Sequence, residues 1–140
     1  MKNREKILVS ACLLGQACRY DACSVPNGRV KALARSCELV PACPEQLGGL
    51  PTPRVPCELQ PDGRVVDRDG VDRTEAFHVG ASATLALARA QGCERAILKE
   101  NSPSCGVNAV YDGTFNGRLV PGEGVTAALL RRAGIRVDGA

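Results

Sequence analysis

Apolar residues follow two rhythms along the chain. Ile7-Leu8-Val9-Ser10-Ala11-Cys12 is a short run without polar alternation, the pattern of a parallel strand covered on both faces. Glu38-Leu39-Val40-Pro41-Ala42 and Arg95–Lys99 read as further strands of the same kind. Helical spacing appears over Gly28–Ser36, with Val30, Leu33 and Ala34 on one face, and most clearly over Arg73–Gln91. In that longer stretch Phe77, Ala81, Leu85 and Ala88 share a face, Asp72 with Glu75 resembles a capping box, and Gly92 supplies the stop. Cys57–Gln60 and Arg64–Val66 flank Pro61-Asp62-Gly63 and predict a hairpin. Ala109–Tyr111 is expected to extend the sheet, Val125–Ala133 to form a final helix and Ile135–Val137 a last strand.

Strands alternating with helices predict an α/β fold over residues 1–140: one domain, with a mainly parallel sheet of about four to five strands flanked by helices, Rossmann-like. Such sheets bind ligands beyond the carboxyl ends of their strands. That rule gives three cysteines a common address. Cys12 ends the first strand, Cys43 follows the second, and Cys105 lies in the loop after the third.

Composition changes this picture in one respect: 8 of 140 residues are cysteine, and 1 is histidine. Disulfides would need export, and the basic stretch Lys2 to Lys6 before Val9-Ser10-Ala11-Cys12 imitates a lipoprotein cleavage box. A signal peptide needs an apolar run of about 7–15 residues before that box, and only Ile7, Leu8 and Val9 stand there. No stretch approaches the roughly 20 apolar residues of a membrane span. The expectation is a cytoplasmic protein with reduced thiols, in which grouped cysteines bind metal. No Cys-x-x-Cys pair occurs, which disfavours zinc ribbons, thioredoxin-like motifs and ferredoxin-type runs. The single histidine, His78, falls on the long helix and reads as a surface or half-buried residue, so Cys/His and Ser/His schemes are disfavoured. The net charge of +3 is mild, with basic and acidic residues interspersed as in Asp67-Arg68-Asp69, so no nucleic-acid partner is expected.

On spacing alone Cys12, Cys43 and Cys105 are each as readable as small buried hydrophobes as they are as ligands. Cys93 and Cys37 read as structural. Cys57 is a strand residue near the active loop, and Cys18 or Cys23 offers a fourth ligand or a resolving thiol.

The segments Val9-Ser10-Ala11-Cys12-Leu13-Leu14-Gly15 with Arg19-Tyr20-Asp21, Cys43-Pro44-Glu45 through Gly48-Gly49-Leu50-Pro51-Thr52-Pro53-Arg54, Lys99-Glu100-Asn101-Ser102-Pro103-Ser104-Cys105-Gly106 and Tyr111-Asp112-Gly113-Thr114-Phe115 resemble the bacterial family, formerly of unknown function, that contains the thiouracil desulfidases. The blocks cover nearly the whole chain in order. The resemblance departs at Ala22, where Gly is expected after Arg-Tyr-Asp; Cys18 too stands at a position where members vary. It implies a [4Fe–4S] cluster held by Cys12, Cys43 and Cys105, with one iron lacking a protein ligand, and catalytic service by Glu45 and Ser102.

The function so implied is removal of sulfur from a thiolated pyrimidine, such as 2- or 4-thiouracil, by non-redox hydrolysis. In the reaction the resemblance implies, an open, sulfur-seeking iron would polarise the C=S bond and make its carbon attackable by water. Glu45 is the expected base, and Ser102 a proton relay or a hydrogen-bonding group for the ring. Glu45 is equally readable as a helix-start residue, and Ser102 as a turn-shaping one. Arg19, Arg54, Lys99 and Glu100 could bind substrate or brace loops. The expected partner is a small thiolated nucleobase or nucleoside, with no membrane involved; the sequence does not determine the oligomeric state. Rival readings are a non-catalytic iron–sulfur or zinc module, a thiol redox protein using Cys12 with Cys18, and a sulfur transferase acting on tRNA.

Overall fold

The computed structural model describes residues 4–140, so Lys2, where the basic stretch begins, lies outside it. Its centre is a four-stranded, fully parallel sheet. The strands are β1 (Lys6–Ser10), β2 (Glu38–Ala42), β5 (Arg95–Leu98) and β8 (Arg136–Gly139), in the order β2-β1-β5-β8. Between β2 and β5 run β3 (Cys57–Leu59), β4 (Val65–Asp67) and helix α3 (Thr74–Gln91). Helix α1 (Gly28–Ala32) precedes β2, and the short α2 (Pro44–Leu47) follows it. After β5 come β6 (Ala109–Tyr111), β7 (Leu119–Pro121) and α4 (Val125–Arg132).

The unalternating apolar run of β1 does what its pattern requires. Ile7, Leu8 and Val9 are all fully buried, each contributing about 1.5–3 kcal/mol relative to exposure. Leu8 packs on one face with Val40, Ala88, Leu98 and Leu130, whereas Ile7 and Val9 pack on the other with Leu13, Val30 and Ile97. Both core clusters are aliphatic. The sheet is covered on both sides, as a parallel sheet must be.

Helix α3 ends where expected, with Gly92 in the left-handed region at φ 72°. Its start differs from the expected box. The helix begins at Thr74, and Asp72 lies two residues earlier, where its carboxylate accepts from the Thr74 N–H at 2.8 Å. The cap position is Arg73, whose side chain makes no cap hydrogen bond, so the Asp72/Glu75 box is replaced by a single Asx-type bond. Gly28–Ser36 splits into α1 and a 3-10 turn over Leu33–Arg35, started by Asn27, whose side chain accepts from Val30 N–H at 3.1 Å.

One other expectation is corrected. Ala109–Tyr111 does not extend the parallel sheet; it pairs antiparallel with Leu119–Pro121 as a separate hairpin. Its partner strand, Leu119-Val120-Pro121, has too few residues for a period to show, and its one leucine is exposed. After Cys43, Pro44 opens a helical turn, a position where its fixed φ and missing N–H cost nothing.

That turn crosses α3 through two glycines. A Cβ on Gly80 would overlap the carbonyl of Pro44, and one on Gly48 would overlap the carbonyl of Ala76. Backbone therefore meets backbone, which brings Cys43 and Glu45 down onto the site.

Candidate active site

The carboxyl ends of β1, β2 and β5 open into one cavity of about 400 Å³. Cys12, Cys43 and Cys105 all line it, with Glu45 and Ser102. Residues 31 and 62 apart in sequence thus share one chamber.

The loops that carry Cys12 and Cys105 are tied down by named hydrogen bonds. Cys12 sits in a 3-10 turn, Ala11–Leu14, closed by Gly15 at φ 98°, and its carbonyl accepts from Val25 N–H at 3.0 Å. Ser10 Oγ accepts from Lys99 N–H at 2.9 Å and locks the end of β1 to the end of β5. Cys105 is fixed from both sides. Ser102 Oγ accepts from Cys105 N–H at 2.7 Å, and Ser104 Oγ shares a 2.7 Å hydrogen bond with Thr126 Oγ1, both fully buried, at the start of α4. Glu100 gathers the Val107 and Asn108 N–H groups at 2.8 and 3.0 Å. Its carboxyl lies below the usual range: burial pushes it up, but these backbone donors and the Asn108 amide outweigh that. Glu100 is a loop brace.

Arg54 also acts as a brace, and a deeper one. Its guanidinium donates to Glu45 Oε2 at 3.0 Å and to the Cys18 carbonyl at 3.2 Å, joining the loops that carry Glu45 and Cys18. Lys99 donates to the Glu100 carbonyl at 3.0 Å and lines the cavity, as does Arg19, whose guanidinium stands 5.8 Å from the Tyr20 ring centre.

The remaining cysteines separate clearly. Cys93 belongs to the aliphatic core, Cys37 is half-buried away from the cavity, and Cys23 is exposed. Cys18 and Cys57 line the cavity. Cys43 Sγ donates to the Cys18 carbonyl at 3.6 Å. The Cys18 thiol is pushed up to about 12, by burial first and then by the adjacent Cys43. Burial also raises Cys12, against the pull of Lys99 and Arg19, and raises Cys105, with Glu45 adding to the effect. Burial and then Asp67 raise Cys57 to about 11.

The donor set suits an iron–sulfur cluster. Three thiols from three separate loops surround a chamber, and two cations, Lys99 and Arg19, offset thiolate charge. Among the described residues no three His, Cys, Asp or Glu side chains converge tightly enough to hold a single metal ion. A multi-iron cluster spreads its ligands more widely than one ion does.

Residues 7–139 match the 2-thiouracil desulfurase family. The chain belongs to that family. Within it, an uncharacterized protein of Bacillus subtilis (strain 168), YbbK, is 45% identical over 140 residues, spanning 94% of this chain and 93% of that protein. A solved structure described as the [4Fe-4S]-dependent thiouracil desulfidase TudS (DUF523Vcz) superposes with a TM-score of 0.91 at 49% identity, covering 97% of this chain and 91% of that one. The desulfurase-family fold is thus the parallel α/β domain described above. No helix among the described residues is long and apolar enough to cross a membrane.

Two features of the site lay beyond the sequence reading. Glu58 is a buried carboxylate at the cavity wall, and Gly80 is the crossing point that seats α2. The second carried a signal, since a glycine inside a helical pattern asks for a close approach. Glu58 carried none, because an acidic residue in a three-residue strand reads as solvent-facing.

Proposed function

We propose that this desulfurase-family protein is a [4Fe–4S]-dependent thiouracil desulfidase, with the cluster held by Cys12, Cys43 and Cys105. The observation that supports this best is the meeting of those three thiols with Glu45 and Ser102 in one cavity. The reaction is a hydrolysis: thiocarbonyl and water give carbonyl and hydrogen sulfide, with no electrons consumed. When bound, the cluster supplies a sulfur-seeking Lewis acid at its iron that lacks a protein ligand.

The chain's own residues do the proton work. Arg54 holds Glu45 Oε2, which leaves Oε1 to take a proton from the attacking water. Fixing one oxygen also fixes the direction of the other. Ser102 Oγ is already an acceptor for Cys105 N–H, so its hydroxyl hydrogen is the atom left to donate, either to the departing sulfur or to a ring heteroatom. Lys99 and Arg19 bring positive charge to the cavity wall, from which a ring carbonyl or its anion gains.

Assay of hydrogen sulfide and uracil release from 2- and 4-thiouracil, after anaerobic reconstitution, tests the reading. Stoichiometric release of both products supports it. A fully loaded protein that releases neither removes the activity.

A further inference from the structure

The chain contains only four aromatic side chains, Tyr20, Phe77, Tyr111 and Phe115, and all four line this cavity. Both core clusters are built without them. Aromatic rings bury large areas and ordinarily dominate cores. Here Phe77 is buried at the chamber's inner wall, and Tyr20, Tyr111 and Phe115 line it while staying partly exposed.

Phe115 is the most deliberately placed. Its backbone is left-handed, at φ 59°, a conformation that costs any side-chain-bearing residue and persists where the surroundings over-determine it. The surroundings do so. Glu58, 8% exposed, accepts from Gly113 N–H at 2.9 Å and from Phe115 N–H at 3.1 Å through the same oxygen, Oε1. Gln60 donates to the Gly113 carbonyl at 3.2 Å. Gly113 itself has φ 95°, and a Cβ there would come within 2.8 Å of the Leu59 carbonyl. Asp112 closes the turn by accepting from Thr114 N–H at 2.9 Å. A buried carboxylate is expensive unless its hydrogen bonds repay the lost hydration. This one is spent on the two amides that set where Phe115 goes.

We infer that Phe115 is the face on which the planar ring of the substrate stacks, and that Glu58 is the positioning residue that aims it. The inference rests on the cavity being the desulfuration site and adds how a ring is selected there. A π-face accepts any flat heterocycle, whereas the cluster end of the chamber asks only for sulfur. Stacking therefore discriminates ring thioamides from open-chain ones.

The test uses the cluster-loaded protein and uracil, the sulfur-free ring, titrated by ligand-observed NMR. Phe115→Leu keeps the bulk and removes the π-face, and is expected to weaken uracil binding about tenfold. Phe115→Tyr is expected to stay near wild type. Glu58→Ala is expected to weaken binding, whereas Glu58→Gln, which keeps an oxygen able to accept both amides, restores it. The visible spectrum of the cluster should be unchanged across the series. Uracil affinity in Phe115→Leu equal to wild type, or no uracil binding by wild type, overturns the inference. Phe115-dependent uracil binding in a protein that releases no sulfide from thiouracil would sustain the stacking wall and remove the desulfidase reading, so the two fail separately.

Discussion

Arg54 Nη2 lies 3.0 Å from Glu45 Oε2, with the two side chains 7% and 15% exposed. The pair sits on either side of the Gly48–Pro53 loop, and the same guanidinium reaches the carbonyls of Cys18 and Pro51 and the Thr52 hydroxyl, each at 3.2 Å. Removing Arg54 would leave the largely buried Glu45 carboxylate without its cation and the Pro51 carbonyl without its side-chain donor. The Cys18 carbonyl would keep the Cys43 thiol, and the Thr52 hydroxyl the Gln46 amide.

The two partners should therefore fail differently. Arg54→Ala is expected to lose about 1–3 kcal/mol of stability, the cost of leaving a largely buried carboxylate without its partner, measured by denaturant unfolding. Glu45→Gln keeps an oxygen for Arg54 and is expected to fold and load its cluster normally. Its sulfide release should nevertheless fall by roughly 10²–10⁴, the usual range for a general base. Full activity in that variant would take Glu45 out of the reaction.

The glycine crossing gives a second expectation. Gly80→Ala places a methyl against the Pro44 carbonyl, a backbone atom that can retreat only by moving α2. A loss of about 2–3 kcal/mol is expected, together with reduced sulfide release, because α2 carries Glu45. Unchanged stability would mean that α2 and α3 have room to separate.

At Ala22 the chain holds a φ of 60°, a left-handed conformation that favours glycine. The left-handed region costs a residue with a Cβ about 1–2 kcal/mol, partly offset by the greater unfolded-state freedom of glycine. Ala22→Gly should accordingly raise stability by about 0.5–1 kcal/mol in thermal unfolding. A decrease would mean that the strain is relieved elsewhere in the Arg19–Cys23 turn.

Asp67 links the fold to pH. The Val71 N–H, ahead of Arg73 and the Asp69 N–H, holds its carboxyl below the ordinary range despite the opposing effect of burial. An unfolded Asp titrates near about 4. The stability this carboxylate confers is present above that pH and is lost as pH falls through the lower native value. Asp67→Asn should flatten the acid limb of a melting-temperature profile. Parallel profiles for wild type and variant would contradict it.

Much of the fold was legible because parallel strands and long helices leave periodic marks. Ile7–Val9 carries no polar alternation and is buried, and of the helix face Phe77, Ala81, Leu85 and Ala88 all are buried except Leu85, which is half-buried against the core. The gathering of Cys12, Cys43 and Cys105 was legible through topology, since three parallel strands bring their carboxyl ends to one edge. Short elements were not. Leu119–Pro121 has three residues, and its pairing with Ala109–Tyr111 depends on a turn that no local rule fixes. The duty of Arg54 was legible as a choice between substrate and brace, and only its partners decide for brace. Glu58 was invisible because its burial comes from a loop more than fifty residues away.

The ligand set is tested most directly by counting iron per chain after anaerobic reconstitution across serine replacements of the cavity cysteines. The account predicts that Cys12→Ser, Cys43→Ser and Cys105→Ser each lose the full complement of cluster iron, whereas Cys18→Ser and Cys57→Ser keep it. A Cys18→Ser protein stripped of iron, or any of the first three loaded as fully as wild type, would contradict it.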